Sequence, residues 1–567
     1  MNRLPTLWLA VIASLFVVIG SAQVRPAPPS DPPSPKNGTI KGRVVAADTD
    51  LGLSKATITL LGQGGEGRAP RVVKTNENGE YEVRGVKPGR YSVRAARSGY
   101  VMHLYGQKSP DAFSETTSTV LHVRESETLA EIDFRLLRGG AIEGRVVDAS
   151  GEPLARSRVQ LSRYRTFEGK PGLVSAGFRS RTETDDRGHF RIFELPPGSY
   201  YLSATRDFFI PAAEGDRTAT PATFYPGVLD PQEATRIEVG PGAEIQGVEL
   251  ALLEVRAFDI SGRVVSPQDK LDRDVDLWAR RFGSDGNLSF FSANAPPDST
   301  GRFTIRNVIP GKYLIIARSD EFNPTALASG ILSGKAEVEV TDSDVSGVAI
   351  VIGRGGEISG KINWPGDSPS VDPKNIHVRV SADGNLEGLY PGQVGEVGRD
   401  SRFHLKGISE GSIRFRIDLP SGPHYVESIR VDGKEVTDQT FEIHRNDQLQ
   451  AVVTVSADGA ELNGTVKGEN PEVPTNGVTV LALAERADLR SSPRFRRSTQ
   501  TDQEGKFSLR GLTPGEYMVV AVADLEYGGD TNPDLQKKFE KIAKHVALDT
   551  GQTKSETLTL MSTGTPP

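Results

Sequence analysis

The sequence predicts an all-β chain: a tandem array of five antiparallel, seven-stranded β-sandwiches, with one short helix in the last. Three observations carry this. One pattern recurs five times, at intervals the size of a small domain. Each copy holds several short runs of alternating apolar and polar residues, separated by Gly, Pro, Asn and Asp. Runs with helical spacing are scarce.

The opening strand of each copy carries a central Gly with apolar residues two positions to either side. The five read Ile40-Gly42-Val44, Ile142-Gly144-Val146, Ile260-Gly262-Val264, Ile358-Gly360-Ile362 and Leu462-Gly464-Val466. Period-two spacing makes this a half-buried strand. A Gly on the inward face leaves room for a bulky neighbour, such as the aromatic of the same repeat, to lie against the backbone.

A hairpin follows. Thr75-Asn-Glu-Asn-Gly79-Glu-Tyr81, Thr184-Asp-Asp-Arg-Gly188-His-Phe190 and Thr501-Asp-Gln-Glu-Gly505-Lys-Phe507 are turns leading into strands. Asx caps such a turn through its own backbone, and Gly takes the positive φ. The aromatic recurs at Tyr81, Phe190, Phe303, Phe403 and Phe507. Eight residues on, a Gly recurs at Gly89, Gly198, Gly311, Gly411 and Gly515, usually as Pro-Gly-x-Tyr. That pair makes a second tight turn. Closing strands follow, such as Val248-Leu250-Leu252 and Val348-Ile350-Ile352. Together these signals give the seven-stranded sandwich pattern. The one helical signal is Asp534 to Lys544 after Pro533, with Leu535, Phe539 and Ile542 at helical spacing. It reads as a lid on an edge of the last sandwich.

The chain of 567 residues has room for roughly three to six domains. Hydrophobic content is 37%, with 60 Gly and 37 Pro, which suits many short strands joined by turns. Net charge is −7 and well mixed, without the clustered Lys and Arg of a nucleic-acid surface. Arg3, the apolar run Leu7 to Ile19 and the small residues Gly20-Ser21-Ala22 form a secretory signal, with an uncleaved anchor as the alternative. The expected division is a signal peptide over 1–22, a Pro-rich linker over 23–37, and sandwiches over 38–139, 140–256, 257–355, 356–459 and 460–567. No Cys is present, so disulfides, thiolate metal sites and a Cys nucleophile are excluded. Each unit must then hold itself by core packing.

The combination of Gly-Arg-Val-Val, Thr-Asp-x-x-Gly-x-Phe and Pro-Gly-x-Tyr resembles the carboxypeptidase regulatory-like domain. The resemblance implies a Greek-key, prealbumin-like sandwich. That fold is shared with collagen-adhesin B-type repeats and grouped with starch-binding, carbohydrate-binding-like folds. It covers the whole chain after the leader, five times over. It speaks for fold more than function. The fourth unit departs from it: Asp400-Ser401-Arg-Phe403 lacks the turn Gly, and Glu410-Gly411-Ser-Ile413 lacks Pro and Tyr. No stretch remains to hold the zinc-dependent peptidase that the family name suggests. The Lys–Asn isopeptide bond of collagen-adhesin repeats has no consistent counterpart. Lys41 stands on the first opening strand, but Glu143, Ser261, Ser359 and Asn463 stand in the others.

No catalytic, metal or cofactor site is expected. The eight His show no metal-binding spacing and no His-Glu-x-x-His; His122, His189 and His404 read as outward, solvated strand residues. A Gly-x-Ser-x-Gly elbow and a phosphate-cradling Gly-Lys-Thr/Ser loop are both missing. The Gly-rich Gly62 to Gly67 reads as a hairpin loop. Asp185, Asp186, Asp298 and Asp502 offer too few oxygens per turn for calcium and read as Asx turns.

Sugar binding uses exposed aromatic faces beside polar groups. Tyr100 and Tyr105 in the first unit, and Phe208, Phe209, Phe224 and Tyr225 in the second, lie outside the sandwich pattern and are the ligand-binding candidates. Tyr390, Tyr527, Trp278 and Trp364 are further aromatics. The competing reading has them covering the sandwich ends. The functional expectation is a non-enzymatic, exported bacterial array, periplasmic or extracellular, that acts as a structural or adhesion-like binding protein. Carbohydrate binding is the alternative. Its partners would be a glycan or another envelope protein, the latter met by strand addition at a sheet edge. No nucleic acid is expected, nor a membrane span once the signal is removed.

Overall fold

The structure is a computed structural model. It describes residues 37–62, 69–107, 119–167, 170–177, 179–206, 217–266, 275–284, 288–319, 332–365, 371–382, 393–420, 422–468, 475–490, 492–502, 504–523, 525 and 528–561. The leader, the linker before Asn37, most of Gly62 to Gly67, and Phe208, Phe209, Tyr390 and Tyr527 lie outside the described residues.

Five large hydrophobic clusters follow one another along the chain. They run from Ile40 to Leu136, Ile142 to Leu252, Phe258 to Ile352, Ile358 to Val455 and Ala460 to Leu560. Each is made by one unit, so burial of that unit's own side chains supplies its core. In the first four units two sheets face each other. In the third, a three-stranded sheet holds the opening strand Phe258–Val265, and a five-stranded sheet holds the tyrosine strand Gly311–Ser319.

Two features depart from the expected antiparallel, seven-stranded plan. In every unit the closing strand runs parallel to the opening strand: Phe134–Leu136 beside Gly38–Ala46, Glu244–Ala251 beside Gly140–Val147, Val345–Val351 beside Phe258–Val265, Gln448–Ser456 beside Gly356–Asn363, and Thr553–Met561 beside Ala460–Lys467. Two further short pairings are parallel, Thr128–Leu129 beside Gly38–Ala46 and the end of Thr553–Met561 beside Gly515–Val522; the other neighbours are antiparallel, as hairpin connections require. The strand number also varies. Short pairs such as His103–Leu104 and Thr128–Leu129 in the first unit, or Thr218–Ala219 with Val255–Arg256 after the second, form where loops lie along an edge and satisfy its backbone groups.

In the fifth unit the closing strand joins the two sheets. Its first part pairs with Ala460–Lys467, and its end pairs with Ala521 and Val522 of the tyrosine strand Gly515–Val522. The helix α1 spans Pro533–Glu540. Asn532 caps it by accepting from the N–H groups of Asp534 and Leu535, and Pro533 occupies its first turn. The helix covers a sheet face rather than an edge. Phe539, fully buried, packs with Leu481, Leu483, Met518, Val520 and Val522. Those residues explain the placement: the outward positions of both central strands are apolar here and need cover. Ile542 lies beyond the helix and is half exposed.

Polar contacts bridge the joints. Arg217 pairs with Asp344 at 2.6 Å between the second and third units. Arg445 of the fourth unit donates to the Val351 carbonyl at 2.7 Å and pairs with Glu410 at 2.7 Å. Arg494 of the fifth donates to the Glu427 carbonyl of the fourth at 2.6 Å. The fifth unit also touches the first two. A Cβ on Gly477 would stand 2.3 Å from the Gly106 carbonyl oxygen, and one on Gly528 would stand 2.0 Å from that of Thr166. Among the described residues no helix is long and apolar enough to cross a membrane.

Candidate functional site

The constant residues of the repeat meet one another in the core. The opening-strand Gly lies directly opposite the repeat's aromatic in all five units: Gly42 and Tyr81, Gly144 and Phe190, Gly262 and Phe303, Gly360 and Phe403, Gly464 and Phe507. A Cβ at Gly464 would come within 1.9 Å of the Glu556 carbonyl oxygen and 2.8 Å of the Phe507 ring. The ring therefore lies against bare backbone, which only Gly provides. The Gly eight residues later has φ of 153°, 143°, 148°, 135° and 156° in turn, a region that side chains disfavour.

Hydrogen bonds hold the rest. The strand tyrosines Tyr91, Tyr200, Tyr313 and Tyr517 each donate to the carbonyl four residues earlier, at 2.5–2.7 Å. Burial pushes the Tyr313 phenol up to about 12, and it also pushes Tyr81 and Tyr517 up. The buried threonine before the turn bonds on both sides. Thr501 donates to the Thr475 carbonyl at 2.5 Å and accepts from the Val478 N–H at 2.8 Å; Thr75 and Thr184 do the same in their units.

The turn acids are held by backbone. Asp185 accepts from the N–H groups of His189 and Arg187, which hold its carboxyl below the usual range. The Thr300 hydroxyl and the Arg302 N–H lower Asp298 in the same way. Asp502 accepts from Glu504 and Lys506. These are Asx turns. Among the described residues no cluster of metal-ligating side chains occurs. His122, His189 and His404 are exposed, and His404 pairs with Glu357 at 3.0 Å.

The described loop aromatics are not gathered on one surface. Phe224 is buried, at 6% exposure. Tyr225 packs on the second core from its margin. Tyr105 packs on the first core, edge-on to Phe134 at 5.9 Å, and burial raises its phenol. Tyr100 also packs there, with the Arg138 guanidinium 5.6 Å from its ring centre. Trp364 donates to the Ser401 hydroxyl at 3.1 Å.

The outward faces of the opening strands differ in a way that composition hides. In the first unit Arg43 faces Glu80 and Lys41 faces Glu82, opposite charges in register. In the second Arg145 faces His189, but Glu249 lies on its other side and Arg191 is paired with Glu143 at 2.6 Å. In the third Arg263 faces Arg302, with Ala349 on its other side. In the fourth Lys361 faces Arg402, with Val452 on its other side. In the fifth Thr465 faces Lys506. The signal for this was present in the sequence: once the Gly is set opposite the aromatic, the residue after the one faces the residue before the other.

A cavity of about 300 Å³ opens in the fifth unit where the closing strand leaves the opening strand for the tyrosine strand. Val519, Ala521, Ile542, Lys544, Leu558 and Met561 line it, and Lys544 is paired with Glu556 at 2.5 Å.

Residues 39–136 and 141–226 match the family profile of the carboxypeptidase regulatory-like domain. Both segments are similar to that domain. Each of these segments holds the Gly–aromatic pair and the tyrosine bond described above. The sequence matches no curated protein. Among solved structures the chain is similar to the Bacillus anthracis TIE protein, with 15% identity and a TM-score of 0.15 over 56% of this chain and 51% of that one. The chain thus spans about half the length of that protein. It is also similar to the minor pilin of Streptococcus agalactiae, with 15% identity and a TM-score of 0.21 over 38% of this chain and 96% of that one. The major pilin subunit of Bacillus cereus matches at 11% identity and a TM-score of 0.15, over 56% of this chain and 99% of that one.

Proposed function

We propose that the chain is a non-enzymatic array of β-sandwiches, exported to a bacterial envelope or beyond it, that serves as a structural and adhesion-like binding protein. One observation carries the reading: the residues that stay constant across the repeat are consumed by the fold. The Gly–aromatic pair, the positive-φ Gly, the tyrosine bond and the threonine bonds all face cores and turns. Variation between units is left to loops and outward sheet faces, where recognition resides in such scaffolds. The apolar leader with its small-residue end supports export.

The test has two parts. Fractionation of cells expressing the full chain should place it outside the cytoplasm, shortened at its N-terminus. Purified protein should turn over neither peptide nor glycoside substrates; measurable turnover lost with one acidic-residue substitution would sink the reading. Carbohydrate binding is the second reading, through Tyr100, Tyr105, Phe224 and Tyr225 with Phe208 and Phe209. What favours it is that Tyr100 and Tyr225 are only partly buried, at the margins of their cores. Fluorescence titration against a glycan panel decides it: a response unaffected by Tyr100→Ala and Tyr225→Ala removes these residues from the reading.

A further inference from the structure

Like charges directly opposite in a sheet are destabilising. The third unit nevertheless places Arg263 against Arg302 on its outward face, both exposed. Arg306 continues the row four residues on, with Thr304 between them, all exposed on the strand Arg302–Val308. The two acids near this row are bonded to backbone, though the Asp298 charge also acts on Arg302. Asp298, in the turn before Arg302, accepts from Thr300 and the Arg302 N–H, and Asp259 accepts from the Asn307 N–H. Arg263 itself reaches the Thr300 carbonyl at 2.9 Å. Across the opening strand stands Ala349, not an acid, and next to it Val265 pairs with Val351, 37% and 47% exposed. The contrast with the first unit, where the same positions alternate in sign, shows that the fold does not require the like-charge pair.

The strand Arg302–Val308 is also the end strand of its three-stranded sheet, hydrogen-bonded there to Phe258–Val265; at Arg302 the outer N–H and carbonyl are taken up by Asp298, and the strands Thr218–Ala219 and Leu288–Asn294 come near. An edge of this kind is a template for an added strand. An added strand would pair from Thr304 onward, and because its side chains alternate, those on the outward face would stand beside Thr304 and Arg306, with Arg302 at its end. We propose that this edge of the third unit binds an extended acidic polypeptide segment, with carboxylates at every second residue answering Arg302 and Arg306 and relieving the Arg263–Arg302 repulsion. Charge complementarity names the occupant, and the sheet edge from Thr304 onward favours a peptide over other polyanions. The fourth unit repeats the arrangement in weaker form: Lys361 faces Arg402 beside Val452, but Asp400 lies 3.7 Å from Arg402 and Glu357 pairs with His404. The inference deepens the binding role proposed above. It is measured on purified protein, so its failure leaves export and the lack of turnover untouched.

The experiment uses the full chain and an immobilised synthetic peptide alternating Glu and Val. Binding should weaken at least about tenfold in Arg302→Glu and with rising salt, and stay unchanged in Arg191→Ser of the second unit. Arg302→Ser should weaken binding while raising the unfolding temperature of the third unit, an opposition that a purely structural arginine would not produce. The proposal is overturned if the peptide does not bind. It is equally overturned if a backbone N-methylated peptide binds as well, because strand addition needs the N–H groups. Equal competition by polygalacturonate or polyphosphate would replace the peptide with a general polyanion. If Arg302→Ser aggregates with peptide binding intact, the charges only guard the edge.

Discussion

The fourth and fifth units solve one folding problem with different parts. The fifth has Thr501 bonded on both sides, Asp502 capping the turn, Gly505 at φ 73° and Tyr517 bonded to Thr513. The fourth has Val397 and Gly398 where Thr and Asp stand, Ser401 at φ 61° where Gly stands, and Ile413 in place of Tyr. Yet it builds a continuous core from Ile358 to Val455. Both units keep the Gly opposite the aromatic, and both keep the Gly at φ 135° or 156°. Close backbone approach has no substitute. The hydrogen bonds do, and the fourth unit supplies one of its own, from Trp364 to the Ser401 hydroxyl.

The comparison is tested most severely at the irreplaceable positions. Gly464→Val should cost more than about 4 kcal/mol and leave the fifth unit unfolded, as Gly360→Val should the fourth, because each Cβ meets a carbonyl oxygen and a ring. Limited proteolysis with mass spectrometry, unit by unit, reads this. A mild effect in either unit would break the claim that the contact is common to both. High pH should separate the two units. The Tyr517 phenol is raised by burial, so its neutral form stabilises the fold below the ordinary value of 10.0, and that contribution is lost as pH rises past it. The third unit, with Tyr313 held up to about 12, should respond over roughly pH 10–12, and the fourth has Ile413 at this place. Hydrogen exchange resolved by unit between pH 9 and 12, roughly, should show the fifth unit loosening before the fourth.

Smaller effects sharpen the picture. Gly515→Ala and Gly411→Ala should each cost about 1–3 kcal/mol, alike in both units, since the strain is in the backbone and not in its neighbours. Tyr517→Phe should cost about 1 kcal/mol by leaving the Thr513 carbonyl without its donor. The smallest change should be at Gly398: Asp there would cap the turn as Asp502 does, but its Cβ would stand 2.7 Å from the Asp400 carboxylate, so Gly398→Asp should bring no rise in the unfolding temperature of the fourth unit.

Much of the fold was legible because period-two spacing and inward Gly positions specify a strand's faces directly. Ile260, Gly262 and Val264 show the buried side of their strand without reference to any partner. The direction of the closing strand was not legible. Nothing local to Val348, Ile350 and Ile352 says whether Phe258–Val265 lies parallel or antiparallel to them, since that depends on how the chain travels between. The helix was visible in Leu535 and Phe539, but its seat on a sheet face depended on Leu481, Leu483 and Met518 being outward as well as apolar. The loop aromatics were ambiguous for a physical reason. An unpaired ring near an open sandwich end gains as much by covering the core as by waiting for a sugar. Phe224 and Tyr105 took the first course. The like-charge pair needed register, and register needs two strands.

The parallel pairing of first and last strands has a mechanical meaning. Seven residue pairs, from Glu461 with Thr553 to Lys467 with Thr559, join the two ends of the fifth unit. A pull on the chain enters at the start of one strand and leaves at the far end of its parallel neighbour. The force then runs along the ladder and strains its hydrogen bonds together, instead of peeling them apart singly. Every unit is wired this way. A load on the chain would then meet a ladder of bonds in each unit rather than one bond at a time.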